Sequence, residues 1–182
     1  HSLVDNILMP VFSRHFIKDN YASQKGKGPD LARERLEYFL HSHYRQRGSN
    51  EGWILVCDVS KYFYAIDHEI LRSQVARLID DDRIMDLLNM IIDSTDDPGI
   101  PIGNQTSQAF ALLYLSDMDH FIKERLRIKY YLRYMDDFVL IHEDKEYLKY
   151  CCLTEIERVI GEHRLRLNGK TQICPMAQGV DI

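Results

Sequence analysis

Hydrophobic positions follow two different spacings along this chain, and the switches between them outline its organisation. Leu3, Ile7, Leu8, Val11 and Phe12 recur at helical spacing over 3–16, where Pro10 is expected to bend or end the helix. The polar, glycine-punctuated stretch YASQKGKGPD follows. Asp30 then stands where it would cap a helix over 31–43 with Ala32, Leu36, Phe39 and Leu40 inward. After a polar connection over 45–52, Trp53-Ile54-Leu55-Val56-Cys57 is a continuous apolar run. That is the pattern of a strand buried on both faces, and it leads straight into Asp58.

Beyond Asp58, Asp67 is placed to cap a helix with Ile70, Leu71, Val75 and Leu78 inward, and 83–92 forms another short helix. The Pro/Gly-rich stretch STDDPGIPIGNQ reads as a long loop. The longest expected helix covers 106–126, with Ala111, Leu115, Met118 and Ile122 on one stripe. Two β-favouring runs follow, 130–134 and 138–141, joined by Met135-Asp136-Asp137 as a hairpin tip. A helix over 145–162 shows Leu148, Cys152, Ile156 and Val159 on one face. Leu165-Arg166-Leu167 reads as a short strand turned by Asn168-Gly169-Lys170, and 179–182 as the start of another. Strand, helices, hairpin, helix and strand imply an α+β fold, a small antiparallel sheet with helices gathered on one face.

Composition narrows the class. At 182 residues, 45% of them hydrophobic, the chain suffices for one or two domains with a sizeable core. Its longest apolar runs fall far short of the roughly 18 residues that cross a bilayer, and its first residues lack the pattern of a secretory signal. Cys57, Cys151, Cys152 and Cys174 show neither zinc spacing nor a disulfide framework, so a reduced, cytoplasmic protein is expected. The net charge of −5 argues against a general nucleic-acid binder. The charge is uneven, however: Lys25, Lys27, Arg33, Arg35, Arg45 and Arg47 fall in the first third, and the acids cluster near the middle.

The candidate chemistry lies in three carboxylates. Asp58 ends a buried strand, and Asp136 and Asp137 sit at the hairpin tip. If these strands are neighbours, three acids converge at one sheet edge and repel one another unless a cation neutralises them. Oxygen-only ligation suits Mg²⁺, which keeps waters and takes substrate phosphates as further ligands. Two such ions about 3.5–4 Å apart are the arrangement that stabilises attacking and leaving oxygens in phosphoryl transfer.

A family resemblance joins these pieces. Tyr134-Met135-Asp136-Asp137 resembles the Tyr-x-Asp-Asp motif of reverse transcriptases, and Asp58-Val59-Ser60-Lys61-Tyr62-Phe63 their first catalytic motif. The stretch Gly99-Ile100-Pro101-Ile102-Gly103-Asn104-Gln105-Thr106-Ser107-Gln108 is similar to the loop-to-helix motif between them, and Leu167-Asn168-Gly169-Lys170-Thr171 to the later lysine motif. All four occur in the family's order. Ser60-Lys61-Tyr62-Phe63 and Asp67-His68 resemble the bacterial group II intron-encoded (maturase) lineage. The loop-to-helix form is closer to diversity-generating retroelement enzymes.

The resemblance implies a right-hand polymerase. Residues 1–52 would be partial fingers, and 53–182 the palm with inserted finger elements, ending near the start of the primer grip without a thumb. It implies RNA-directed DNA synthesis from dNTPs onto a DNA or RNA primer, with low processivity in a chain lacking a thumb. The alternative is an RNA-binding maturase module that grips intron RNA. An RNA-dependent RNA polymerase fits less well, because Phe63 and Tyr134 differ from its usual smaller gate residue and Gly-Asp-Asp. No membrane is implied, and a homodimer stays open.

Site roles follow the matching positions. Asp58 and Asp136 would hold two Mg²⁺ ions with the Val59 carbonyl, Asp137 being a weaker or indirect ligand. Lys170 would serve the pyrophosphate leaving group, and Phe63 would exclude a ribose 2′-OH. Backbone amides near Lys61 and Tyr62 would face the triphosphate, and Gly103 and Ser107 would shape the loop beneath nucleotide and template. Lys25 and Lys27, on their glycine-rich loop, are candidate phosphate or template contacts. One departure stands out: Ile102 occupies a position where many relatives carry Gln, which predicts looser nucleotide selection.

Overall fold

The computed structural model describes residues 2–178, with side chains from Asn6 onward. The strand expected over 179–182 and the Leu3 side chain therefore lie outside the described residues. Four strands form the centre: β1 (Trp53–Asp58), β2 (Tyr130–Tyr134), β3 (Asp137–His142) and β4 (Gln172–Pro175). They make one antiparallel sheet in the order β2-β3-β1-β4. β1 lies between two strands, and its two faces pack into different cores, which is why its sequence reads as an unbroken apolar run rather than an alternation.

Strand residues alternate between two cores. Leu55, Cys57, Tyr131, Phe138 and Leu140 belong to the larger one, packed with α1 (Ser2–Phe12), α4 (His68–Ala76), α5 (Asp82–Ile92) and α6 (Gln105–Tyr114). Ile54, Tyr130, Leu132, Val139 and Ile141 face the other way, against Ala32, Leu36 and Phe39 of α2 (Pro29–Arg47). Most helices thus gather on one face, as the element order implies, while α2, read as fingers, covers the other. Each fully buried Leu, Ile or Phe of these cores contributes on the order of 1.5–3 kcal/mol.

Local sequence explains most helix ends. The Asp67 carboxylate accepts from the Ile70 amide at 3.0 Å, so Asp67 caps α4 as expected. Asp81 caps α5 through Arg83 and Ile84. Gly48 closes α2 at φ +71, returning its amide to the Tyr44 carbonyl. Asp30 is a correction: α2 begins at Pro29 after Gly28, so Asp30 sits in the first turn, beside Arg33 at 3.5 Å. A proline at the first position sacrifices an amide that has no partner in any case. In α1, Pro10 is accommodated before the chain tightens over Ser13–His15, and Ile7 is turned to solvent.

Two larger expectations change. The single helix over 106–126 is interrupted at Leu115 (φ −95, ψ 4). It continues as α7 (Ser116–His120) and then as a wider π-type turn over Phe121–Arg125. Likewise 145–162 is a π-type turn over Tyr147–Leu153 leading into α8 (Thr154–Glu162). Leu165–Leu167, expected as a short strand, makes only a bridge from Leu167 to Val59, and a strand the sequence reading did not expect, β4, pairs with β1. A short turn, α3 (Tyr62–Ala65), follows β1.

The free edge of β2 is covered by main chain. The Arg133 amide donates to the Asp19 carbonyl at 3.0 Å, and the Tyr21 amide donates to the Arg133 carbonyl at 2.9 Å. Asn20 bridges Arg133 in parallel, which satisfies an edge that would otherwise invite another strand.

Candidate active site

The hairpin tip is tighter than the sequence suggests. β2 ends at Tyr134 and β3 begins at Asp137, which pairs with Tyr134, so the connection is only Met135-Asp136. Met135 takes a left-handed φ of +57, as a two-residue connection demands. Asp137 is therefore a strand residue, and on its other side it pairs with Asp58 of β1. Asp58, Asp136 and Asp137 are thus brought to one end of the sheet, because β1 and β3 are neighbours and Asp58 pairs with Asp137.

Asp58 is fixed from a direction the motif reading did not assign. The Asn168 side chain donates to its carboxylate at 2.9 Å, and the Asn168 amide donates to its carbonyl at 2.7 Å. The Ser60 amide donates to the Arg166 carbonyl at 2.9 Å, completing the bridge between Val59 and Leu167. Neither of these two main-chain bonds uses the Val59 carbonyl, while the Val59 side chain is buried. The Lys170 amide donates to the Asn168 side chain at 3.0 Å, and Lys170 itself is exposed with its charge near Asp137.

Burial and mutual repulsion dominate the electrostatics of the two hairpin carboxylates. Burial, and then the Asp58 charge, raise Asp136 above its ordinary carboxylate value, against a lowering backbone hydrogen bond. Burial, then Asp136 and Asp58, push Asp137 up to about 6 despite the opposing Lys170 ammonium. Among the described residues, no three His, Cys, Asp or Glu side chains form a ready-made metal cage. Mutually repelling, partly desolvated carboxylates are nevertheless hard oxygen donors that fit a magnesium ion completed by water and phosphate.

A pH dependence follows. Asp137 has its folded value raised from 3.8 to about 6. Below about pH 4 it is protonated folded or unfolded and costs nothing. Through about pH 4 to 6 the unfolded chain releases its proton first, so this contribution to stability is lost as pH rises. A divalent cation offsets that loss, so magnesium is expected to raise Tm more above about pH 7 than near pH 5. Melting curves with and without magnesium at both pH values check this, and an equal or larger shift at acid pH would refute it.

The nucleotide side is less uniform. Phe63 is half-buried against Tyr62, with ring centroids 5.8 Å apart. A strap fixes its backbone: the Ile100 amide donates to the Phe63 carbonyl at 2.9 Å, and the Gly99 amide to the Ile66 carbonyl at 2.9 Å. The buried His68 ring contacts the Gly99 carbonyl at 2.6 Å, so its role is to hold this strap. Lys61 is exposed at a left-handed φ of +50, and the Tyr62 side chain is buried with its hydroxyl on the Ala111 carbonyl. Only backbone of Tyr62 remains for a nucleotide contact.

Gly103 holds φ +89 in open space, and Ile102 beside it is 60% exposed. Asn104 caps α6 by accepting from the Ser107 amide at 2.7 Å. Ser107 itself is fully buried, and among the described residues its hydroxyl has no hydrogen-bond partner. Of the basic loop, Lys27 donates to the Lys18 and Asn20 carbonyls at 2.9 and 2.6 Å, whereas Lys25 makes no such bond among the described residues. The Lys27 ammonium thus braces the segment along β2.

A family model described as reverse transcriptase (RNA-dependent DNA polymerase) matches residues 2–180. No curated protein matches the chain. Among solved structures, apo telomerase from Candida tropicalis, truncated from its C-terminal domain, is similar with a TM-score of 0.77 and 15% identity, over 95% of this chain and 40% of that one. Telomerase from Candida albicans, in complex with a TWJ fragment of telomeric RNA, is similar with a TM-score of 0.76 and 13% identity, over 94% of this chain and 35% of that one. The chain thus spans 40% or less of these structures, and at such identities the likeness is one of fold. No helix among the described residues is long and apolar enough to cross a membrane.

Proposed function

The chain belongs to the reverse transcriptase family, and on that premise we propose that it is the fingers-and-palm part of an RNA-directed DNA polymerase that joins a dNTP to a primer 3′-OH on an RNA template. The observation that carries this reading is the pairing of Asp58 with Asp137 at the sheet end, next to Asp136 on its two-residue turn. Asp58 and Asp136 would hold two Mg²⁺ ions, with the Val59 carbonyl beside them and Asp137 as the indirect member. Bound there, the metal supplies positive charge for the attacking and leaving oxygens of phosphoryl transfer.

The chain's own groups account for the rest. Asn168 fixes the orientation of the Asp58 carboxylate. Lys170 would place its charge or proton at the departing pyrophosphate. Phe63, strapped by the Ile100 amide, would present a rigid edge to the sugar and reject a 2′-OH. The lineage, whether group II intron-encoded or diversity-generating retroelement, rests on Ser60 to Phe63 and on the loop before α6.

Primer extension on an RNA template with dNTPs tests the reading, and no magnesium-dependent product from the folded chain would remove it. Phe63→Ala is expected to raise the relative use of rNTPs by about tenfold or more, since the site would lose its steric exclusion. Competition between dNTP and rNTP for the same primer measures it, and an unchanged ratio would return Phe63 to an ordinary packing role. Ile102→Gln restores an amide on an exposed loop side chain. It is expected to lower the misincorporation frequency, read by sequencing the cDNA.

A further inference from the structure

Arg133 is the largest fully buried side chain among the described residues, and it stands two positions before the turn that carries Asp136. A guanidinium in a core requires partners for its donors, and here they come from three directions. Its Nε and one terminal nitrogen donate to the two Asp119 oxygens at 2.8 and 2.7 Å, a bidentate pair with both side chains 0% exposed. The same terminal nitrogen donates to the Leu112 carbonyl at 3.0 Å, in α6. The other donates to the Met135 carbonyl at 2.7 Å. Tyr131 steadies the acid by donating its hydroxyl to Asp119 at 2.6 Å.

The Met135 contact is the telling one. Met135 holds φ +57, a left-handed conformation that a side chain with a Cβ rarely adopts unaided. Its carbonyl belongs to the peptide that continues into Asp136, so a donor fixed on this oxygen fixes the plane from which Asp136 departs. Asp119 and Leu112 in turn tie that donor to the helical core rather than to the sheet alone.

We infer that Arg133, held by Asp119 and Tyr131, is a positioning residue that sets the turn conformation and thereby the placement of the Asp136 carboxylate. Its kinetic consequence rests on the polymerase reading, and its structural consequence does not. A purely packing role would be met equally well by apolar side chains of similar volume, which often replace buried ion pairs without loss of stability.

The test is the double variant Asp119→Leu, Arg133→Met, beside Arg133→Lys, whose single ammonium cannot span both Asp119 and the two carbonyls. Two readings are taken on the folded chain: amide hydrogen exchange at Met135 and Asp136, and steady-state primer extension. The double variant is expected to melt cooperatively, to exchange both amides about tenfold faster or more, and to lose about 10²-fold in kcat with KM for dNTP little changed. Wild-type exchange rates at both amides would overturn the inference, as would a wild-type kcat. If the double variant does not fold, the lysine variant decides by the same readings. A wild-type chain that extends no primer while its variants still exchange faster would refute the polymerase reading and leave the positioning role standing.

Discussion

Asp136→Asn is expected to reduce dNTP incorporation by about 10³-fold while RNA binding stays within about twofold of wild type. The amide keeps the size of the carboxylate but removes the anionic charge on which cation binding at the turn depends. Asp58 and Asp137 alone would then be left to hold the metal. The same change removes a charge from a desolvated site where Asp136 helps push Asp137 up to about 6. The variant is therefore expected to melt no lower than wild type without divalent ions. Extension assays, filter binding of RNA and melting curves, taken together, separate catalysis from folding. Incorporation within tenfold of wild type would sink the assignment of Asp136 as a metal ligand.

Asp119→Ala is expected to cost about 3–5 kcal/mol of stability, the largest effect of any single substitution considered. Asp119 is fully buried and accepts two hydrogen bonds from Arg133 and one from Tyr131. Its removal strands the guanidinium charge in the core and leaves the Tyr131 hydroxyl without its acceptor. That cost approaches the whole stability of an ordinary domain, roughly 5–15 kcal/mol, so reduced soluble yield is expected too. Urea unfolding at neutral pH measures the loss against the Asp119→Leu, Arg133→Met double variant, which is expected to lie near wild type. A loss under about 1 kcal/mol for the alanine variant would show that Arg133 finds water or a second acceptor.

The candidate site was legible to different depths. Asp58, Asp136 and Asp137 could be singled out because a carboxylate ending an apolar strand, or standing between two of them, breaks the local pattern. Asn168 lay within a recognised motif but went unassigned, since its contact with Asp58 spans 110 positions of chain. Arg133 gave no signal of its own: a lone arginine in a short strand reads as solvent-facing, whereas it is fully buried. Met135, unremarkable as a residue type, takes a left-handed φ of +57 at the turn.

The sequence by itself determined the α+β class, the strand positions β1 to β3, the caps at Asp67 and the motif order, because periodicity, caps and turn residues act within a few residues of one another. Only tertiary structure decided that β4 rather than 165–167 flanks β1, and that 106–126 breaks at Leu115. It alone set Asp137 in the strand opposite Asp58, leaving Asp136 at the turn. Those outcomes depend on strand register and on packing between segments far apart in the chain, and no local pattern encodes which distant partner a segment will meet.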